Sequence, residues 1–129
     1  MCPPSSSATI RLMARTLLIV DDHSNFRSFA RRLLEAEGFV VVGEAVDGES
    51  AIREARLLKP EVVLLDIMLP DLDGFVVCAE LSESADPPAV VLTSSRDASS
   101  YGRRLGESQA RGFIRKSELS GAGLAALLS

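Results

Sequence analysis

The sequence lacks the features that mark secreted or membrane-spanning chains. Cysteine occurs only as Cys2 and Cys78, and neither residue belongs to a metal-ligand spacing. The longest early apolar run, residues 17–20, is too short for a signal-peptide core or a membrane span and ends directly at Asp21 and Asp22. We therefore expect a cytoplasmic protein in a reducing compartment, with no membrane association.

An excess of positive charge is also missing. The chain carries 14 Lys and Arg against 18 Asp and Glu, which leaves a formal net charge of -4 at pH 7. Nucleic acids and anionic membranes attract proteins through a summed positive field, which this composition does not supply. We expect no direct nucleic-acid binding by this chain.

The length and composition are those of one globular domain. Hydrophobic residues make up 47% and charged residues 25% of 129 residues, enough for a single buried core. Residues 1–15 contain two prolines and three consecutive serines without any hydrophobic period, which predicts a flexible N-terminal tail. We assign residues 16–129 to the folded domain.

Five short apolar runs predict the strands of a sheet. They are nearly continuous and rich in Val, Ile and Leu, as in strands that helices cover on both faces, and they span residues 16–20, 40–44, 62–65, 89–92 and 112–115. Segments with helical spacing alternate with these runs. We predict an α/β fold, a doubly wound parallel sheet of five strands in the order 2-1-3-4-5, flanked by five helices.

The helix boundaries are predicted from capping residues and breakers. Ser24 or Asn25 is expected to open the first helix, residues 47–49 the second and residues 71–74 the third, while Gly38 and Lys59-Pro60 end the first two. The fourth helix, residues 97–107, contains two glycines and should be loosely held. The last, residues 118–128, is predicted as a short terminal helix.

Polar residues stand at the ends of four predicted strands. Asp21 and Asp22 follow the first strand, Asp66 the third, Thr93 the fourth and Lys116 the fifth. The carboxyl ends of parallel strands meet at one edge of a sheet, where ligands bind at the switch point between the first and third strands. These five side chains are therefore predicted to converge in one site.

Three carboxylates in one place oppose each other's ionisation, and a divalent cation is the usual remedy. Carboxylate oxygens completed by water suit Mg²⁺, and Mn²⁺ should substitute for it. A carboxylate beside such an ion can attack a phosphoryl group and hold it as an acyl phosphate. Lys116 would then offset charge on the phosphoryl oxygens and the Thr93 hydroxyl would donate a hydrogen bond to one of them.

Other polar signals have ordinary interpretations. The stretch from Asp71 to Gly74 fails the glycine offset of a calcium loop and is interpreted as a turn and helix start. His23, the only histidine, is assigned a loop or capping role rather than a phosphohistidine, and Cys78 is expected to be a buried, unreactive thiol.

Residues 16–128 resemble the receiver domains of bacterial two-component response regulators, the CheY-like domains. The motifs that carry the resemblance are Asp21-Asp22, residues 43–51, residues 59–66, residues 69–74, Leu92-Thr93-Ser94 and Lys116. In this family Lys116 is often followed by proline, whereas Ser117 stands here, so we expect no cis peptide at this bond. A Lys-Ser ending also resembles receivers that precede a helix-turn-helix output domain.

The resemblance implies a role for each residue of the site. Asp66 would accept the phosphoryl group from a sensor histidine kinase or a phosphotransfer protein. Asp21, Asp22, Asp66 and the backbone carbonyl of Met68 would hold Mg²⁺. Thr93 and Lys116 would contact the phosphoryl group. Phe113, which the sequence alone allows equally as a core aromatic or a switch residue, would be the switch residue.

The resemblance further implies a signalling switch rather than an enzyme with a separate substrate, since the chain would catalyse only its own phosphorylation and dephosphorylation at Asp66. Phosphorylation would alter the surface of helix 4, strand 5 and helix 5, with homodimerisation left open. It would control transcription through an output domain absent from this chain or through a separate partner.

Two alternatives of other classes remain at this point. One is a Mg²⁺-dependent hydrolase with an aspartyl-phosphate intermediate. Such enzymes carry an acidic residue two positions after the nucleophile, and this chain has Met68 there, which argues against the hydrolase. The other is an interaction domain that works without phosphorylation. The complete set of polar residues at the strand ends argues against it.

Overall fold

A parallel five-stranded sheet forms the centre of the protein. The computed structural model describes residues 15–129, so the tail predicted for residues 1–15 lies outside the described residues except for Arg15. The strands are β1 (Thr16–Val20), β2 (Val40–Ala45), β3 (Val62–Asp66), β4 (Ala89–Ser94) and β5 (Gly112–Arg115). Their order in the sheet is β2-β1-β3-β4-β5 and every pairing is parallel, which confirms the predicted fold class.

Five α-helices cover the two faces of the sheet. They are α1 (Ser24–Ala36), α2 (Gly48–Leu58), α3 (Gly74–Ser82), α4 (Arg103–Glu107) and α5 (Gly121–Leu128). On one face, the odd residues of β1 pack with Ala30 and Leu34 of α1 and Leu124 of α5. On the other face, the even residues of β1 pack with side chains of α2 and α3. Burial on both faces explains why the central strands are continuous apolar runs.

The starts of α2 and α3 agree with the predicted caps. The Asp47 carboxylate accepts the Ser50 N–H at 2.8 Å, and the Ser50 hydroxyl closes the reciprocal capping box. Asp73 caps α3 by accepting the Phe75 N–H at 2.8 Å. Ser24 opens α1 as predicted, but it is not the capping residue, because it is already helical and the N-cap position belongs to His23, which makes no side-chain capping bond.

The predicted ends of α1 and α2 are confirmed. Gly38 has a φ of 101°, a left-handed conformation that only glycine adopts without strain. Lys59 takes the left-handed conformation at the end of α2 with a φ of 49°, just before Pro60.

The last two helices are shorter than predicted. The expected helix over residues 97–107 divides into a 3-10 turn, Ala98–Ser100, and α4, because Gly102 adopts a φ of 55° between them. The terminal helix begins at Gly121 rather than at residue 118, since Ser120 caps it by accepting the Gly123 N–H at 2.9 Å. Lys116–Glu118 forms a separate 3-10 turn, and the described residues contain no cis peptide bond.

Within residues 15–129, no helix combines the length and the apolar character that crossing a bilayer requires.

Candidate functional site

The sheet brings the five predicted polar residues to one edge. Asp21 directly follows β1, Asp66 is the last residue of β3 and pairs with Thr93 of β4, and Lys116 follows β5. Asp22 lies within the same group, because ligand atoms of Asp21, Asp22 and Asp66 all lie within 4.8 Å of one another. The convergence predicted from the strand ends is confirmed by the geometry.

Burial differs among the three carboxylates. Asp21 is fully buried and Asp66 is 2% exposed, whereas the side chain of Asp22 keeps 34% of its surface exposed. Removing an ionised carboxylate from water is costly unless a cation or hydrogen-bond donors compensate it. The two inner carboxylates therefore require a positive partner.

Lys116 supplies that positive charge. Its Nζ lies 2.5 Å from Asp21 Oδ2 as an ion pair without hydrogen-bond alignment, and it donates a hydrogen bond to Asp66 Oδ2 at 3.2 Å. Burial acts to lower the pKa of Lys116, but the two carboxylates outweigh it and hold the pKa above its ordinary value. The Phe26 ring, 4.8 Å from Nζ, covers the ammonium on another side. Lys116 is therefore charged at neutral pH.

The surroundings of Asp66 raise the pKa of its carboxyl. Burial raises its pKa to about 6, assisted by the nearby charge of Asp21. The Met68 N–H, which donates to Asp66 Oδ1 at 3.0 Å, and the ammonium of Lys116 act in the opposite direction. In the metal-free protein, burial thus outweighs these two contacts and disfavours the ionised form of Asp66 relative to a carboxylate in water.

We expect Asp66→Asn to stabilise the metal-free protein at pH 7.5 by about 2 kcal/mol. A carboxyl whose pKa is raised in the folded state contributes stability below its unfolded value near 3.8, and this contribution is lost as pH rises through about 6. At pH 7.5 the buried charge is destabilising, and asparagine removes it at nearly constant shape. Urea unfolding in the presence of a chelator measures the difference.

The pH dependence provides the control for this expectation. At pH 4.5 the two proteins should differ much less, because Asp66 is then largely protonated in the folded state. A variant less stable than the wild type at pH 7.5 would contradict the assigned effect of burial.

Thr93 places an unpartnered hydroxyl in the site. The residue is fully buried, and its Oγ1 has no hydrogen-bond partner within the described part of the chain. A buried hydroxyl without a partner costs about 1–3 kcal/mol. Because Thr93 lies beside Asp66 in the β3–β4 ladder, the hydroxyl is available to an oxygen of a group carried by Asp66.

Thr93→Val is therefore expected to leave the stability of the protein unchanged or to raise it by up to about 1 kcal/mol, since valine keeps the shape and removes the unpaired hydroxyl. Ser94→Ala is the matched control, because the Ser94 hydroxyl is buried but hydrogen-bonded to the Tyr101 hydroxyl at 2.6 Å. Loss of this hydrogen bond in Ser94→Ala should lower the free energy of unfolding. Urea unfolding of both variants makes the comparison, and a larger loss in Thr93→Val than in Ser94→Ala would oppose it.

The oxygen ligands of the site suit a hard divalent cation. Three carboxylates within 4.8 Å of one another match the chemistry that Mg²⁺ prefers. Among the described residues, Lys116 is the one lysine or arginine whose side chain pairs with these carboxylates, so the site retains excess negative charge for a cation to offset. The donor set therefore fits Mg²⁺.

His23 has a position that the sequence interpretation only partly anticipated. It is the N-cap residue of α1, and its Nδ1 lies 3.1 Å from Asp21 Oδ1 and 3.2 Å from Asp22 Oδ1. Its side chain is 68% exposed, so it lies at the solvent side of the acidic pair. The position of His23 directly after the two aspartates in the sequence was the signal that could have predicted these contacts.

Phe113 lies in a chain of aromatic contacts next to the site. The ring centroids of Phe113 and Tyr101 are 6.1 Å apart, and those of Tyr101 and Phe75 on α3 are 5.9 Å apart. The Tyr101 hydroxyl bonds to Ser94, the residue after Thr93. The sequence interpretation missed Tyr101, because nothing in its local pattern indicates a partner seven residues earlier.

Asp71 and Cys78, the other residues considered in the sequence, have structural roles. Asp71 accepts the backbone N–H groups of Gly48 and Glu49 at 2.7 and 3.0 Å, and these bonds hold the pKa of its carboxyl below the ordinary value. Cys78 is fully buried, and burial raises the pKa of its thiol, so it stays protonated at neutral pH.

Comparison with known proteins agrees with this geometry. A family model for the response regulator receiver domain matches residues 17–127. The chain is 40% identical over 106 residues to the transcription regulator BvgA of Bordetella pertussis, covering 82% of this chain and 51% of that protein. It is 35% identical over 113 residues to the response regulator GacA of Pseudomonas viridiflava, covering 87% and 51%. The chain thus spans about half the length of these curated relatives.

Among solved structures, the fold is similar to that of a two-component response regulator of the LuxR family from Aurantimonas. The two superimpose with a TM-score of 0.78 and 28% sequence identity, covering 89% of this chain and 86% of that one.

Proposed function

Because this chain belongs to the family of response regulator receiver domains, we propose that Asp66 is its phosphoryl acceptor. The observation that carries this assignment is the position of Asp66, nearly buried at the sheet edge, 3.2 Å from the ammonium of Lys116 and paired in register with Thr93. A phosphoryl group on Asp66 would meet a cation and an unpartnered hydroxyl donor. The chain is a signalling switch.

The proposed reaction is a nucleophilic displacement at phosphorus. A carboxylate oxygen of Asp66 forms the new oxygen–phosphorus bond, the bond to the donor nitrogen breaks, and that nitrogen takes up a proton. Lys116 offsets negative charge on the phosphoryl oxygens, and the Thr93 hydroxyl donates to one of them. Positioning and electrostatics account for the rate, since none of the three residues must act as a base.

Asp21, Asp22, Asp66 and the backbone carbonyl of Met68 would hold Mg²⁺, for which Mn²⁺ can substitute. Bound there, the ion supplies positive charge that offsets the charge of the phosphoryl oxygens. The Met68 N–H keeps one oxygen of Asp66 in place, which supports a fixed orientation of the acceptor.

The proposed output is a change in the surface of α4, β5 and α5. Movement of Thr93 toward the phosphoryl group would leave space near Phe113, whose present contact is the ring of Tyr101 just before α4. A turn of Phe113 inward would then alter this surface. Its contact with an aromatic residue of the adjoining segment supports the coupling.

The proposed partners are those of the receiver family. A sensor histidine kinase or a phosphotransfer protein would be the phosphoryl donor in the cytoplasm, and phosphorylation would promote a homodimer or another complex. Because BvgA and GacA are about twice as long, transcription would be controlled through an output domain outside residues 1–129 or a separate partner. Residues 16–129 form the receiver domain in this proposal.

Intact mass after incubation with phosphoramidate tests the proposed function. The wild type should gain one phosphoryl group in the presence of Mg²⁺ and none with a chelator. A protein that binds Mg²⁺ but gains no group from either phosphoramidate or a histidine-phosphorylated donor would exclude the assignment. Sustained release of phosphate over many turnovers from phosphate monoesters would instead favour the aspartyl-phosphate hydrolase.

A further inference from the structure

Asp21, the fully buried member of the acidic pair, makes three hydrogen bonds in addition to its contacts with Lys116 Nζ and His23 Nδ1. Its N–H donates to the Ala45 carbonyl of β2 at 3.0 Å, which extends the β1–β2 pairing by one residue. Its Oδ1 accepts the His23 N–H at 2.8 Å. Its backbone carbonyl accepts a hydrogen bond from Arg27 Nη1, also at 2.8 Å. The last contact comes from a side chain that has no place in the proposed phosphoryl chemistry.

Arg27 is itself fixed by a second charged group. Its Nε donates to Glu44 Oε1 at 2.9 Å, and its side chain is only 16% exposed. Arg31, one turn later on α1, donates to the other oxygen of Glu44 at 2.6 Å. Burial acts to raise the pKa of Glu44, but the two arginines outweigh it and hold the pKa below its ordinary value. Glu44 therefore remains ionised and anchors the Arg27 guanidinium.

The Asp21 carbonyl belongs to the peptide unit that leads into Asp22. Since a peptide unit is planar, a hydrogen bond that fixes this carbonyl also fixes the direction in which the chain enters Asp22. Asp22 is the more exposed carboxylate, and its Oδ1 lies 3.2 Å from Nδ1 of the exposed His23 ring. The orientation of Asp22 toward the cation position thus depends on the backbone that Arg27 holds.

We propose that Arg27 is a positioning residue for the divalent cation. Through the Asp21 carbonyl, Arg27 aligns the acidic pair so that both carboxylates face the same ion. The inference rests on the proposed function, because it presupposes that the acidic pair binds Mg²⁺. It adds a residue on α1 and its anchor on β2 to the groups that determine cation affinity.

The sign of the effect separates positioning from simple charge. Arg27 carries a positive charge close to a cation site, so its removal should strengthen Mg²⁺ binding if only electrostatics mattered. Loss of alignment predicts the opposite, a weaker site. The direction of the change in affinity therefore decides between the two roles.

Arg31→Gln is the matched control for Arg27→Gln. Both substitutions remove one positive charge from α1 and one ion pair with Glu44, but only Arg27 contacts Asp21. Mg²⁺ and Mn²⁺ affinity is measured by calorimetry on the full chain. Uptake from phosphoramidate is measured over a range of Mg²⁺ concentrations, which separates the half-saturating concentration from the maximal rate.

In Arg27→Gln the dissociation constant and the half-saturating Mg²⁺ concentration should both rise about tenfold. The maximal rate at saturating Mg²⁺ should change by less than about twofold, since the groups that contact the phosphoryl are intact. Arg31→Gln should shift neither affinity value by more than about twofold. Arg27→Lys should fall between wild type and Arg27→Gln, because a single ammonium cannot bridge the carbonyl and Glu44 as a guanidinium does.

Unchanged or tighter Mg²⁺ binding in Arg27→Gln would overturn the inference, as would an equal loss in Arg31→Gln. Circular dichroism establishes that each variant is folded, and Arg27→Lys carries the comparison where the glutamine variant does not fold. A wild type that neither binds Mg²⁺ nor gains a phosphoryl group would refute the proposed function and this inference together. A wild type that does both, with an unaffected Arg27→Gln, would refute this inference alone.

Discussion

Replacing Asp66 by asparagine is expected to reduce phosphoryl uptake from phosphoramidate to background, a loss of at least about 10³-fold. The amide has no ionised oxygen with which to attack phosphorus. Among the described residues, Asp66 is the one carboxylate that accepts hydrogen bonds from both the Met68 N–H and the Lys116 ammonium. Intact mass at saturating Mg²⁺ measures the uptake in both proteins.

Asp86→Asn is the matched control for this substitution. Asp86 is exposed, and it precedes β4 at the opposite edge of the sheet, so the same chemical change there should leave uptake at the wild-type level. A phosphoryl group that persists on Asp66→Asn would move the acceptor to another residue, which peptide mapping would identify.

Function and stability should change in opposite directions in Asp66→Asn. The variant loses uptake because it lacks the nucleophile, yet it is expected to gain stability because the buried charge is gone. A misfolded variant would lose both. Asp66 is thus a residue whose environment is unfavourable for the resting protein and favourable for its proposed chemistry, as is common at functional sites.

The sequence predicted the sheet well because strand burial leaves a strong local signal. Residues 62–65 are consecutive Val and Leu, and β3 is buried on both faces between β1 and β4. The same argument placed the site, since polar residues that directly follow such strands must lie at the shared carboxyl edge. Asp21, Asp66 and Lys116 were found by this rule and are in contact.

Features that depend on distant contacts left no such signal. Gly102 was expected to weaken a single helix, but its φ of 55° separates the 3-10 turn from α4. The ring of the neighbouring Tyr101 packs against Phe75 and Phe113, which are distant in sequence. The Asp21 contact of Arg27 also requires the β2 position of Glu44, and a helical pattern alone does not show where a long side chain ends.

The capping residue of α1 was mispredicted for a related reason. Ser24 is a good capping residue by type, but the His23 N–H is already bound to the Asp21 carboxylate and the helix begins one residue earlier than a Ser24 cap would allow. The hydrogen bond between Asp21 and the His23 N–H therefore determines the cap position rather than the capping preference of serine.

Lys116→Met is expected to lower the rate of phosphoryl uptake about 10²- to 10³-fold at saturating Mg²⁺. Methionine keeps much of the aliphatic volume but removes the ammonium that would offset charge on the phosphoryl oxygens. Lys59→Met is the matched control, because Lys59 is the only other lysine and is exposed at the end of α2, away from the strand ends that form the site. Initial rates from phosphoramidate measure both variants.

Mg²⁺ affinity should change in the opposite sense, and this distinguishes charge compensation from damage to the site. In the resting protein the Lys116 ammonium lies against Asp21 and Asp66, the same carboxylates proposed to hold the cation. Its removal leaves buried negative charge without a partner, so calorimetry should find Mg²⁺ bound more tightly while uptake is slow. A variant with slow uptake and weakened Mg²⁺ binding would instead show that Lys116 acts by holding the carboxylates in place. Unchanged uptake would remove Lys116 from the proposed mechanism.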